Sequence, residues 1–223
     1  MPPFVKHKEG KMKKILIAVP AMDTVSAYFA QSLASLQSDP DWNCHISFVL
    51  NSLVYDARND LCTQAIKGHF DYIMWFDSDM VFPPDVIHRL MRHLDDGCDI
   101  VTGVYFRRRP PYTPVLYSKL NFDIESESIE YEPSKEIPED GLFEVQGCGF
   151  GCVLMKTEVL HHMKIDLGLW FEPIGGIGED LAFCIRAAKA GYKVYADPTI
   201  RLGHVGTLVV DKQFYDTYAG GRI

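Results

Sequence analysis

Phe70-Asp71-Tyr72-Ile73-Met74-Trp75-Phe76-Asp77-Ser78-Asp79-Met80 is the stretch on which the fold turns. Its apolar run, Tyr72 to Phe76, is short, aromatic and β-branched, which predicts a buried strand. The run ends abruptly in two carboxylates, Asp77 and Asp79. Burying them unpaired would be costly, so both should emerge where the strand leaves the sheet. In an open α/β sheet that is the carboxyl edge, where ligands bind. Two carboxylates one residue apart on a turn can hold a hard divalent cation, and the cation can hold a diphosphate. The stretch therefore predicts a metal-dependent enzyme acting on a nucleotide-linked substrate.

On either side the pattern alternates. Ile15 to Val19 reads as a first strand, turned at Pro20-Ala21-Met22-Asp23. Asp23 or Thr24 can cap a helix carrying Val25, Tyr28, Phe29, Leu33 and Leu36, which Asp39-Pro40-Asp41 ends. His45 to Leu50 is a second strand, and Val54 to Lys67 a helix stopped by Gly68. Pro83-Pro84-Asp85 starts another helix, with Val86, Leu90 and Leu94 inward and Gly97 past its end. Asp99 to Phe106 is a fourth strand. This rhythm predicts an α/β fold with a mostly parallel central sheet and helices on both faces.

The rhythm breaks at Arg107. Residues 107–142, rich in proline, acids and aromatics, read as a long excursion over one end of the sheet, with a hairpin as one form it can take. Phe143 to Gln146 and Cys152 to Lys156 read as extended, and Thr157 to Met163 as helical. Gly175-Gly176-Ile177-Gly178 leads into a helix from Glu179 to about Ala190, stopped by Gly191, and Lys193 to Ala196 is a last strand. The expected organisation is an N-terminal extension (1–12), a single domain (13–206) and a C-terminal tail (207–223).

A chain of 223 residues that is 47% hydrophobic can bury a sizeable core. Its net charge of -8 argues against nonspecific nucleic-acid binding, and an acidic protein that handles a diphosphate needs a local cation. The six cysteines lack CxxC spacing and read as reduced core thiols in a cytoplasmic compartment. With no second pair nearby, Cys148 and Cys152 read as core rather than as a metal or disulfide pair. No run is long enough to span a membrane. Lys6 to Lys14 before Ile15-Leu16-Ile17-Ala18-Val19 imitate a signal peptide, but Pro20 breaks the run and no cleavage site is evident.

The residues that carry chemistry each have a plain alternative. Asp77-Ser78-Asp79 is either a solvated turn or a metal site, and the aromatic strand before it favours the metal. Arg58, beside Asn59, suits a phosphate or a carboxylate, or is a surface arginine paired with Asp56 or Asp60. Glu179-Asp180 caps a helix, or supplies a general base that the helix dipole keeps ionised. His204, between Gly203 and Val205, is structural or a third metal ligand. Two carboxylates and an imidazole suit Mn²⁺ or Mg²⁺. Arg107-Arg108-Arg109 is a solvated turn or a contact for phosphate or an anionic acceptor. Gly147-Cys148-Gly149-Phe150-Gly151 implies close backbone approach, to another strand or to a ligand. Trp170 and Phe171 offer an aromatic face that suits a sugar ring or the core. Gly149 and Trp170 are the candidate acceptor contacts.

Taken in order, Ile15 to Pro20, Arg58-Asn59, Trp75-Phe76-Asp77-Ser78-Asp79, Gly147 to Gly151, Gly178-Glu179-Asp180 and Gly203-His204 resemble the GT-A glycosyltransferases, most closely the family 2-like enzymes. Ala57-Arg58-Asn59 with Trp75 to Asp79 also resembles the fungal mannan polymerase family. The resemblance implies a nucleotide-diphospho-sugar transferase fold over roughly residues 13–206. It implies that Asp77 faces the ribose or the metal, that Asp79 is the principal metal ligand, and that His204 completes the metal site. It makes Asp180 the acceptor-activating base of an inverting hexosyltransferase, with Glu179 beside it. It puts Pro20, Ala21, Asp23, Arg58 and Ser78 at a nucleotide-sugar donor, UDP- or GDP-linked, and a carbohydrate or other hydroxyl at the acceptor. The acids that family 2 carries after the second strand are missing: the chain reads Leu50-Asn51-Ser52-Leu53. No Gln-x-x-Arg-Trp follows, which argues against a processive synthase. The rivals are an inactive nucleotide-sugar-binding module and a sugar nucleotidyltransferase. The latter would need a basic glycine-rich loop where Pro20 to Thr24 stand.

Overall fold

A computed structural model describes residues 12–123, 128–163 and 168–207. The expected extension before Met12 and most of the expected tail lie outside the described residues. The strands are β1 (Lys13–Ala21), β2 (Trp42–Leu50), β3 (Tyr72–Phe76), β4 (Met80–Val81), β5 (Ile100–Val104), β6 (Leu116–Asp123), β7 (Ser128–Pro133), β8 (Phe143–Val145), β9 (Gly147–Cys148), β10 (Cys152–Lys156), β11 (Val194–Arg201) and β12 (Gly203–His204). The helices are α1 (Ala27–Ala34), α2 (Val54–Lys67), α3 (Val86–Asp95), α4 (Glu158–His162) and α5 (Glu179–Lys189).

Seven strands form one sheet in the order β2-β1-β3-β10-β5-β11-β8. β2, β1, β3, β5 and β11 run one way, while β10 and β8 run against their neighbours. The sheet is thus mixed, with a mostly parallel core. Alternation along β1 and β3 divides the core into two layers. Ile15, Ile17, Val19, Met74 and Phe76 face one cluster, with Phe29 of α1 and Val86, Leu90 and Leu94 of α3. Leu16, Ala18, Ile73 and Trp75 face the other, with Leu61 and Ala65 of α2 and Ala182 and Phe183 of α5. Strands buried on both sides read as near-continuous apolar runs, as β3 does.

The expected strand Tyr72 to Phe76 and helix Val54 to Lys67 match β3 and α2 residue for residue. The first helix starts later than expected. Ser26, not Asp23 or Thr24, is its N-cap, its Oγ accepting from the Phe29 N–H at 3.0 Å. Val25 therefore precedes the helix, and the helix stops at Ala34, short of Leu36. The last strand runs on to Arg201, five residues beyond the expected Ala196, because β5 continues to pair with it past a bulge at Asp197. The excursion after Arg107 contains the hairpin β6–β7. All six cysteines are free. Among the described residues no helix is long and apolar enough to cross a membrane.

A two-stranded clip finishes the carboxyl edge. β4 follows the Asp79 turn and pairs antiparallel with β12, His204 opposite Met80. A Cβ on Gly203 would stand 3.1 Å from Val81 Cβ, so a glycine lets the strands close. The Val205 N–H then donates to the Asp79 carbonyl at 2.8 Å. This clip carries His204 to the turn.

Candidate functional site

The ends of β1, β3 and β5, the start of α5 and the turn after β5 enclose a cleft of about 940 Å³. Pro20, Ala21, Arg58, Asp77, Ser78, Asp79, Glu179, Asp180 and His204 all line it. Asp23 is exposed and does not line it. The two carboxylates of the organising stretch are thus held at the strand's carboxyl edge, as burial cost requires. The Asp77 N–H donates to the Gly151 carbonyl at 3.1 Å, and the Met80 N–H to the Asp77 carbonyl at 3.1 Å, which fixes the turn.

The two carboxylates have different company. Asp77 Oδ1 accepts from Arg58 Nη2 at 2.9 Å. Asp79 Oδ2 stands 3.5 Å from His204 Nε2 and is ion-paired with Arg108. His204 and Arg108 hold the Asp79 carboxyl below its usual range against the opposing effect of partial burial. The same hydrogen bond raises the His204 imidazole. His204 Nδ1 lies 2.9 Å from the Phe106 carbonyl oxygen, which can only accept, so Nδ1 carries the proton. Nε2 faces Asp79 and, on giving up the proton it shares with that carboxylate, is the atom that could hold a metal.

Among the described residues no three His, Cys, Asp or Glu side chains form a ready-made metal cage. Asp79 and His204 nevertheless fit a divalent cation that completes its shell with outside oxygens, the habit of hard cations that share substrate phosphates. Asp77, expected at the metal as well, is turned toward Arg58.

Arg58 is neither of the expected surface pairs with Asp56 or Asp60: its side chain is 1% exposed. It lies within 3.5 Å of Glu179 Oε1 and 3.4 Å of Asp180 Oδ1, besides Asp77. The rings of Trp75, Phe150 and Phe171 each approach its guanidinium carbon at 5.6 Å. One buried cation therefore answers three carboxylates. Replacing it by methionine would leave those acids unbalanced beside an apolar floor. We expect Arg58→Met to lose about 3–5 kcal/mol of stability, read by urea unfolding.

α5 begins at Glu179 with Gly178 as its cap, so Asp180 sits in the first turn over the cleft. Asp180 Oδ2 accepts from the Phe150 N–H at 3.2 Å, while the buried Oδ1 accepts no hydrogen bond and meets Arg58 Nη2 as an ion pair at 3.4 Å. Desolvation, opposed by Arg58 and reinforced by Glu179 and Asp77, lifts its carboxyl to about 7. A carboxylate so placed can accept a proton near neutral pH.

Gly149 and Trp170, the expected acceptor contacts, stand off the cleft. The Trp170 indole N–H donates to the Leu160 carbonyl at 3.0 Å. The glycine-rich segment makes its close approach to Tyr105: a Cβ on Gly149 would collide with the Tyr105 hydroxyl. Gly149→Ala should cost about 1–3 kcal/mol, as overpacking does, measurable as a lowered melting temperature. Tyr105 itself, fully buried and accepting from the Gly151 N–H at 3.1 Å, was not singled out by the sequence. Its signal was an aromatic at the carboxyl end of a core strand.

A comparison with curated proteins returned no sequence match. Among solved structures, A197 from STIV is 22% identical with a TM-score of 0.62, over 88% of this chain and 87% of that one. GalNAc-T7, solved with UDP, GalNAc and Mn2+, is 11% identical with a TM-score of 0.58, over 91% of this chain. This chain spans only 45% of the GalNAc-T7 chain. At these identities the likeness is one of fold, and it is the GT-A fold. The family model described as "Glycosyl transferase family 2" matches residues 25–163, which takes in Arg58, Asp77 and Asp79 and stops short of Asp180 and His204. With more than half its length under that model, and the paired carboxylates that follow β3 at the edge of a GT-A-like sheet, the chain belongs to glycosyl transferase family 2.

Proposed function

We propose that this chain transfers a sugar from a nucleoside-diphosphate sugar to an acceptor hydroxyl, with inversion at the anomeric carbon. The observation that carries the reading is the Asp180 carboxylate on the wall of the cleft that Asp79 and His204 also line, its Oδ1 accepting no hydrogen bond and ion-paired with Arg58 at 3.4 Å.

Asp79 and His204 would hold Mn²⁺ or Mg²⁺, which when bound supplies positive charge for the departing nucleoside diphosphate. Pro20 and Ala21 border the cleft where the nucleoside would lie. Asp77, ion-paired with Arg58, accepts hydrogen bonds from the donor's ribose or sugar hydroxyls. Asp180 takes the proton from the acceptor hydroxyl as that oxygen attacks the anomeric carbon from the face opposite the leaving group. Glu179 shares Arg58 with Asp180, and its charge helps keep the base from being too weak to act.

Incubation with UDP-, GDP-, CDP- and dTDP-sugars and Mn²⁺ tests this. Release of a nucleoside diphosphate from one donor, stimulated by an added hydroxyl acceptor, is the expected result. Binding with no release would favour an inactive module, and release of pyrophosphate a nucleotidyltransferase.

A further inference from the structure

The cleft holds more cationic side chains than a metal-assisted diphosphate site requires. Arg58 is taken up by Asp77, Glu179 and Asp180. Arg107, Arg108 and Arg109 all line the same wall. Arg107 donates to the Tyr117 hydroxyl at 2.9 Å, which ties it down. Arg108 pairs with the organising turn, on the Asp79 oxygen that also faces His204.

We infer that Arg108 is an exchangeable counter-cation: it occupies Asp79 while no divalent cation is bound, and it turns to the diphosphate of the nucleotide when a cation takes Asp79. This rests on the donor-binding reading above and adds a residue and an order of events to it.

The geometry separates a fixed pivot from a free end. The turn's backbone is closed by Arg107 N–H to Thr113 carbonyl at 2.9 Å, Tyr112 N–H to Arg109 carbonyl at 3.0 Å and Val115 N–H to Tyr105 carbonyl at 3.0 Å. Gly206 backs the stem of Arg108, where an added Cβ would meet Arg108 Cβ at 3.1 Å. The side chain, by contrast, is 51% exposed, so the guanidinium can swing while the chain stays put. An ion pair this open to water is weak and easily exchanged. A dication on Asp79 would repel the guanidinium from that oxygen. The nearest anion would then be the diphosphate sharing the cation, and the planar fork of arginine suits phosphate oxygens.

The test is Arg108→Gln in the full chain, with Arg108→Lys beside it. Mn²⁺ uptake without nucleotide is followed by the EPR signal of free Mn²⁺. UDP and GDP binding at saturating Mn²⁺ is followed by calorimetry. The glutamine variant should bind Mn²⁺ alone several-fold more tightly, because Asp79 loses a competitor. It should bind the nucleoside diphosphate about tenfold or more weakly, the worth of a charge-assisted hydrogen bond. The lysine variant should keep wild-type Mn²⁺ affinity and bind the diphosphate less well than wild type. Wild-type binding of both, with either affinity unchanged in the glutamine variant, overturns the exchange alone. A wild-type protein that binds no nucleotide with Mn²⁺ overturns the donor-binding reading, and the exchange with it.

Discussion

Asp180→Asn should lower turnover by roughly 10²–10⁴, the range a positioned general base supplies, while nucleotide and Mn²⁺ binding stay at wild-type levels. Asparagine keeps the shape and can still accept from the Phe150 N–H, but it cannot take a proton. The pH dependence carries the same signature. Desolvation lifts the Asp180 carboxyl to about 7, so the base is ionised, and the wild-type enzyme active, only as pH rises through that value. The residual activity of the variant should lack this limb. Stability should move the other way. A carboxyl raised above its ordinary 3.8 favours the folded state fully below that value and loses that contribution as pH rises through about 7. The variant should therefore gain more melting temperature relative to wild type at pH 8.5 than at pH 5, and none below pH 3.8. Near-wild-type turnover would remove Asp180 from the mechanism.

Asp79→Ala should abolish metal-dependent nucleotide binding and reduce transfer by roughly 10²–10³, matching the several kcal/mol that a bound cation contributes. On the proposed reading Asp79 is half of a two-residue donor set, and His204 alone would remain. The fold should survive, because the turn is held by backbone bonds from Met80 to Asp77 and from Val205 to Asp79 that do not use the side chain. Calorimetric titration with nucleoside diphosphate, with and without Mn²⁺, reads the effect. Unchanged Mn²⁺-dependent binding would place the cation elsewhere.

What the sequence disclosed, and what it withheld, follows from the range of the forces involved. β3 and α2 were legible to the residue because an apolar run and a helical period are local patterns. The emergence of Asp77 and Asp79 at the sheet edge followed from the cost of burying charge. Strand direction was less legible. β10 is as apolar as a parallel strand, yet it inserts antiparallel between β3 and β5, which no local pattern announces.

Arg58 is the clearest case of hidden context. Its nearer acids, Asp56 and Asp60, share its helix, but its partner Asp77 is 19 residues on, and Glu179 and Asp180 arrive from α5. His204 was picked out by the two glycines around it, Gly203 and Gly206, and by its place after the last strand, and the β4–β12 clip explains why it meets Asp79. The glycine-rich segment correctly signalled close backbone approach to another strand: Gly147 and Cys148 pair with β6, while Gly149 and Gly151 back onto the Tyr105 ring and hydroxyl.

The most direct test of the metal–diphosphate site is a thermal-shift panel of UDP, GDP, CDP and dTDP, each with and without Mn²⁺. A ligand bound only by the native state stabilises it by about 2.7 kcal/mol at a hundredfold excess over Kd. A metal–diphosphate site at Asp79 gives a clear rise for one nucleotide with Mn²⁺, lost on adding EDTA and absent in Asp79→Ala. No rise for any nucleotide, with or without metal, would contradict it.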